Sequence, residues 1–275
     1  MLTRQAMKRA QMSNMRRISA AALAAVLAAG LVSCGDSSSS AIRTAQQTQS
    51  AAPHAADEGE LYNTKQAVRP SPEWVTRLDA LKDAQQVIVV AGVDKSTAYI
   101  TMHEKSSSGE WQQIIATPGF IGLEGLGDAN IEQTLTPIGT FTVDKAFGLA
   151  DDPGCAMDYV KVDDSFYWSG DPREGMHFNE LVSVRELPGL DTEASEHISD
   201  YDAAYQYVLN IGYNAECEEK KGFAFFLHCF RINRPYTGGC VAVPENIMRF
   251  IMQHIKPGCR VTIDSLEAFG GDLDS

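Results

Sequence analysis

Cys240 stands behind two glycines in Thr237-Gly238-Gly239-Cys240-Val241, and His228 closes the apolar run Phe225-Phe226-Leu227, with eleven residues between imidazole and thiol. A cysteine attacks as its thiolate, a form favoured by a neighbouring imidazole or a helix N-terminus. An aromatic strand ending in histidine, a short polar loop and a Gly-Gly-Cys turn can supply that pairing. The chemistry this points to is acyl transfer through a thioester. The glycines have a use in it: lacking β-carbons, they let backbone N–H groups crowd round the sulfur and aim at a carbonyl oxygen as it gains charge. The N–H groups of Gly239 and Cys240 are the expected donors, and the Thr237 hydroxyl is expected to fix the loop. A helix starting near Pro244, four residues past the sulfur, is expected to turn its positive end toward the same place.

Other uses of these residues remain open at this level. Cys240 could be an inert buried thiol or half of a disulfide, and His228 a core histidine satisfied by main chain. Apart from Cys34, the cysteines are Cys155, Cys217, Cys229, Cys240 and Cys259. An odd number in an exported domain leaves at least one free thiol, and if that is Cys240 the other four permit up to two disulfides. Neighbours on a strand point to opposite faces, so Cys229 should face away from a site that His228 faces. A metal site of His228, Cys229 and Cys240 is a weak alternative, because adjacent His-Cys lacks the paired ligand spacing of structural zinc sites.

The same segment resembles the catalytic core of the L,D-transpeptidases, the YkuD-type domain, whose signature is a histidine followed by Ser/Thr-x-Gly-Cys-aliphatic. His228 and Thr237-Gly238-Gly239-Cys240-Val241 match it, and Thr136-Pro137-Ile138-Gly139 resembles the family's Thr-Pro-x-Gly strand entry. The resemblance covers roughly residues 85–264. Two departures mark a divergent branch: Gly238 stands where many members carry a second histidine, and the His-to-Cys interval is short.

The resemblance implies a mainly β (α+β) fold, a mixed β-sandwich with a short leading helix and one helix after Cys240. It further implies Cys240 as nucleophile, His228 as base oriented by main chain near Cys229, and no metal or organic cofactor. The partners it implies are peptidoglycan stem peptides, cleaved at the carbonyl of the L-centre of a third-position diamino acid. An L,D-carboxypeptidase and a non-catalytic wall-binding lipoprotein are alternatives on the same fold.

The N-terminal region bears on compartment. Arg4, Lys8, Arg9, Arg16 and Arg17 precede an apolar run over residues 18–31, short for a membrane span but the length of a signal-peptide core. It ends in Leu31-Val32-Ser33-Cys34-Gly35, which resembles a lipobox, so residues 1–33 are expected to be removed and Cys34 lipidated as the membrane anchor. Residues 34–70, rich in Ser, Ala, Gln and Thr, have no apolar periodicity and read as a tether. Residues 71–275 are then the catalytic domain. The formal charge is −13, and loss of the basic leader makes the rest more acidic still, which argues against nucleic acid as a partner.

The elements that must position the pair follow from pattern. Ser71-Pro72-Glu73 predicts a capped leading helix, with Trp74, Val75, Leu78 and Leu81 at helical spacing. Strand patterns cover residues 86–93, 97–103, 111–117, 140–143, 159–162, 166–168, 205–211, 223–230 and 260–264. Pro244, Ile247, Phe250, Ile251 and Ile255 predict a helix ended by Lys256-Pro257-Gly258. Residues 146–204, rich in Asp, Gly and Pro, read as an irregular lid or a satellite core. Its Tyr167, Trp168 and His177 are candidate substrate contacts, with Gly238 beside them.

Overall fold

The structure, a computed structural model, describes residues 63–231 and 233–273. The leader 1–33, the proposed anchor Cys34 and the tether as far as residue 62 lie outside the described residues. The elements are β1 (Arg69–Pro70), α1 (Glu73–Thr76), β2 (Gln86–Asp94), β3 (Thr97–Lys105), β4 (Trp111–Phe120), β5 (Gly125–Gly127), β6 (Leu135–Pro137), β7 (Gly139–Thr142) and β8 (Lys145–Gly148). They continue with β9 (Tyr159–Lys161), β10 (Phe166–Trp168), β11 (Leu181–Ser183), β12 (Glu196–His197), β13 (Val208–Asn210), β14 (Phe226–Cys229), β15 (Val241–Val243), α2 (Glu245–His254) and β16 (Arg260–Ser265).

The fold is mainly β. One mixed sheet runs β7-β16-β2-β3-β4-β15-β14-β13-β8-β9, with β1 added on β4; β11-β10-β12 and β5-β6 form two small sheets. The β2-β3-β4 meander is antiparallel, whereas β14 and β15 pair in parallel, Leu227 opposite Val241 and His228 opposite Ala242.

Strand β2 shows why the sheet holds. Its run Gln-Val-Ile-Val-Val-Ala is buried on both faces, as near-continuous apolar strands are. Ile88 and Val90 join the central core with Ile100, Met102 and Ile115. Val87, Val89 and Ala91 pack instead on Trp74, Val75 and Leu81. Helix α2 closes the central core through Ile247, Met248, Ile251 and Met252, spaced to make one buried stripe.

Two expectations change. Ser71 does not cap α1, whose N-cap is Pro72 with no side-chain bond. Its hydroxyl is taken by the Nδ1 of buried His103 at 2.8 Å, and the helix spans only four residues. The end of the expected tether is docked: Gln66 exchanges two hydrogen bonds with the main chain of Ala116, and Arg69–Pro70 pairs with β4. Of the two readings of residues 146–204, the structure shows the satellite core, in which that segment packs with Tyr205, Phe223, Ala224 and Phe226. Phe147, Trp168, Tyr205, Phe223 and Phe226 form it, and burying each such aromatic stabilises the fold by about 1.5–3 kcal/mol. The five described cysteines are all free thiols, so no disulfide links Cys155, Cys217, Cys229 or Cys259.

Candidate functional site

The site is built on the two faces of β14. Phe226 and His228 point to one face and Leu227 and Cys229 to the other, because side chains alternate along a strand. The partition is visible in the packing: Phe226 lies in the aromatic satellite core, Leu227 and Cys229 in the central one. One step before the Leu227–Val241 pair, Cys240 comes beside Phe226 and joins the satellite face. His228 and Cys240 therefore share a side of the sheet, and both line one small cavity of about 70 Å³.

The imidazole is oriented by main chain. Nδ1 of His228 lies 2.8 Å from the Cys229 carbonyl, which can only accept, so Nδ1 carries a proton. The ring of Tyr205 stands edge-on to it at 5.3 Å, and the Tyr205 hydroxyl donates to buried Glu196 at 2.5 Å.

The cysteine loop is clamped by two threonines. Thr237 Oγ1 donates to the Cys240 carbonyl at 2.6 Å and accepts from Gly239 N–H at 3.1 Å. Thr136, from the Thr-Pro-x-Gly segment, donates to the same carbonyl at 3.3 Å and accepts from Gly122 N–H at 2.8 Å. Glycine is required at 239: φ is +126°, and a β-carbon would stand 2.7 Å from the Leu135 carbonyl oxygen. Because its N–H is spent on Thr237, Gly239 is not an oxyanion donor, contrary to expectation. Among the described residues no acceptor is found for the N–H groups of Gly238 and Cys240, and both residues line the cavity.

The thiol itself is held. Cys240 Sγ donates to the Ala224 carbonyl at 3.4 Å. Ala224 has φ +60°, a conformation uncommon outside glycine, and Asn179 Oδ1 takes its N–H at 3.2 Å. Asn179 is anchored in turn by the carbonyls of Tyr213 and Asn214.

Of the other expected site residues, Tyr167, Trp168 and His177 do not line the cavity. Trp168 is 1% exposed, packed on Phe147 and Phe226, and its indole N–H donates to Asn179. It is linked to the thiol through Asn179 and Ala224. Tyr167 stacks on His197, and His177 is exposed beside Glu180. The start of α2 is not at the sulfur either. Three extended residues of β15 intervene, on the order of 10 Å of chain, and α2 packs on the central-core face.

A metal on His228, Cys229 and Cys240 is excluded by the opposed faces. Among the described residues no three His, Cys, Asp or Glu side chains gather where they could hold an ion. Residues that sequence reasoning missed are Thr136, Tyr205, Asn179, Arg231 and Arg234; only Thr136 lay in a motif that could have signalled it.

No family model and no curated protein matches the sequence. Among solved structures, the chain is similar to the helical cell shape determining protein Pgp2 from Campylobacter jejuni, with a TM-score of 0.36 and 14% identity. The match covers 66% of this chain and 47% of that one, so the chain spans about half the length of that protein.

Proposed function

We propose that the chain is an extracytoplasmic cysteine acyltransferase acting on peptidoglycan stem peptides, an L,D-transpeptidase in reaction type. The observation that carries this reading is the shared cavity of Cys240 and a histidine whose Nδ1 is committed to the Cys229 carbonyl. In the reaction, Nε2 of His228 takes the thiol proton as the sulfur leaves the Ala224 carbonyl and attacks the peptide carbonyl. The carbonyl π electrons move to oxygen, which the N–H groups of Gly238 and Cys240 stabilise. Collapse breaks the C–N bond, the imidazolium returns its proton to the departing amine, and a thioester remains on Cys240. An amine from a second stem peptide, deprotonated by His228, attacks the thioester and releases a cross-linked product with the free thiol. Water in place of that amine gives L,D-carboxypeptidase chemistry.

Mass analysis of purified protein with a stem tetrapeptide, with and without an acceptor amine, tests the reading. A product lacking the terminal residue, joined to the acceptor, is expected; intact peptide together with unmodified protein would contradict it. Membrane attachment through a lipidated Cys34 belongs to the same proposal. Cys34→Ala should shift the protein from the membrane to the soluble fraction, and unchanged fractionation would count against the anchor.

A further inference from the structure

The cavity that holds Cys240 also carries two cations. Arg231 and Arg234 both line it, brought to one side by a tight turn in which Arg234 N–H donates to the Arg231 carbonyl at 3.0 Å. The Arg231 guanidinium lies over the Tyr201 ring, 6.0 Å from its centroid, and that of Arg234 over Tyr236 at 5.3 Å. Aromatic faces hold a guanidinium in place without consuming its N–H groups.

Arg231 has a further property. Its Nε is buried and has no hydrogen-bond partner, and among the described residues the side chain forms no ion pair. A buried donor left unmade costs folding free energy, and in a chain of formal charge −13 carboxylates to satisfy it are plentiful. That this arginine instead faces a cavity shared with a nucleophile points to an acceptor that arrives from outside. The planar fork of a guanidinium matches a carboxylate bidentately.

We propose that Arg231, assisted by Arg234, is a carboxylate-binding site that selects peptides bearing a free carboxylate close to the amide attacked by Cys240. This deepens the acyltransferase reading and rests on it. The carboxylate could belong to the terminal leaving residue or to the side chain of the acyl residue, and the chemistry of recognition is the same.

The test uses the purified full chain and a synthetic stem tetrapeptide in three forms: both carboxylates free, the terminal one amidated, and the third-residue side-chain one amidated. Protection of Cys240 against iodoacetamide, mapped by peptide mass, reports binding without requiring turnover. One amidated form should need about 10–100-fold more peptide for equal protection, the range of a charge-assisted hydrogen bond, and which form it is identifies the source. In Arg231→Gln that discrimination should fall below about 3-fold while the melting temperature is kept; Arg234→Gln should reduce it less.

Equal protection by all three forms, no protection by any, or full discrimination surviving in Arg231→Gln would overturn the proposal. Protection that discriminates, without a thioester or a shortened product, would instead sink the acyltransferase reading and leave the carboxylate site standing.

Discussion

The two faces of β14 carry thiols with opposite prospects. Cys229 and Cys240 are 1% and 5% exposed, so burial alone hardly separates them. Cys229 sits in the central apolar core, where burial pushes its thiol up to about 12, and its sulfur donates to the Tyr207 carbonyl at 3.8 Å. Cys240 lies on the other face, at a cavity with an imidazole, backbone donors and two arginines. A parallel comparison holds for the histidines. His103 has both ring nitrogens engaged by the hydroxyls of Ser71 and Thr101, and burial, with Arg69 nearby, pushes it down to about 3. His228 has Nδ1 turned to the Cys229 carbonyl and lines the cavity. The face of the sheet, not the depth of burial, separates the surroundings of these residues.

The strongest way to break the comparison is to exchange the fates of the two thiols. Cys240→Ala should abolish acyl-enzyme formation and lower turnover by more than about 10³-fold, with little change in melting temperature. Cys229→Ser should keep turnover within about 3-fold but destabilise the protein by about 1–3 kcal/mol, since it buries a hydroxyl in an apolar core. Equal kinetic losses in steady-state assays would show that the faces are not functionally distinct.

The histidines give the next largest contrast. His228→Ala should slow acylation by about 10²–10⁴-fold, measured by single-turnover intact mass, whereas His103→Gln should leave that rate alone. His103 should matter to acid stability instead. A histidine whose folded pKa is depressed favours folding fully above its unfolded value of about 6.5, and that contribution is lost as pH falls from about 6.5 toward about 3. The melting temperature of His103→Gln should therefore decline less steeply than the parent's across this window; parallel profiles would contradict the assignment.

Smaller effects sharpen the picture of the loop. Thr136→Val removes a hydroxyl that bridges Gly122 and the Cys240 carbonyl. It should cost about 1 kcal/mol of stability and several-fold in acylation rate. Asn179→Ala, which removes the acceptor of the Ala224 N–H and so loosens the residue whose carbonyl holds the Cys240 thiol, should change the rate of Cys240 alkylation by several-fold. An unaltered alkylation rate with lowered stability would reduce Asn179 to a purely structural role.

Much of the positioning machinery was legible in sequence because it rests on local rules. Continuous apolar runs at β2 and β14 read as buried strands, and alternation along β14 assigned Cys229 to the face away from His228. Pro244 with its apolar spacing gave α2. What was not legible depended on contacts distant in sequence. Thr136 lay in a recognisable motif, but its reach to Cys240, 104 residues away, is not a local signal, and no local pattern encodes the diversion of Ser71 to His103. The helix N-terminus was placed at the thiol by sequence proximity, but three residues of extended β15 carried it off and turned α2 onto the other face. Trp168 read as a substrate contact because loop aromatics often are, whereas here the loop has its own core to fill. Arg231 carried no signal, since its position depends on a turn after the strand.

The most direct measurement is the mass of the protein after treatment with a carbapenem, a strained cyclic amide that a nucleophilic thiol beside backbone donors should open. A single adduct is predicted, mapping to Cys240, lost in Cys240→Ala and slowed in His228→Ala. An adduct on Cys229, or folded protein with a free Cys240 that stays unmodified, would contradict the assignment of reactivity to the satellite-core face of β14.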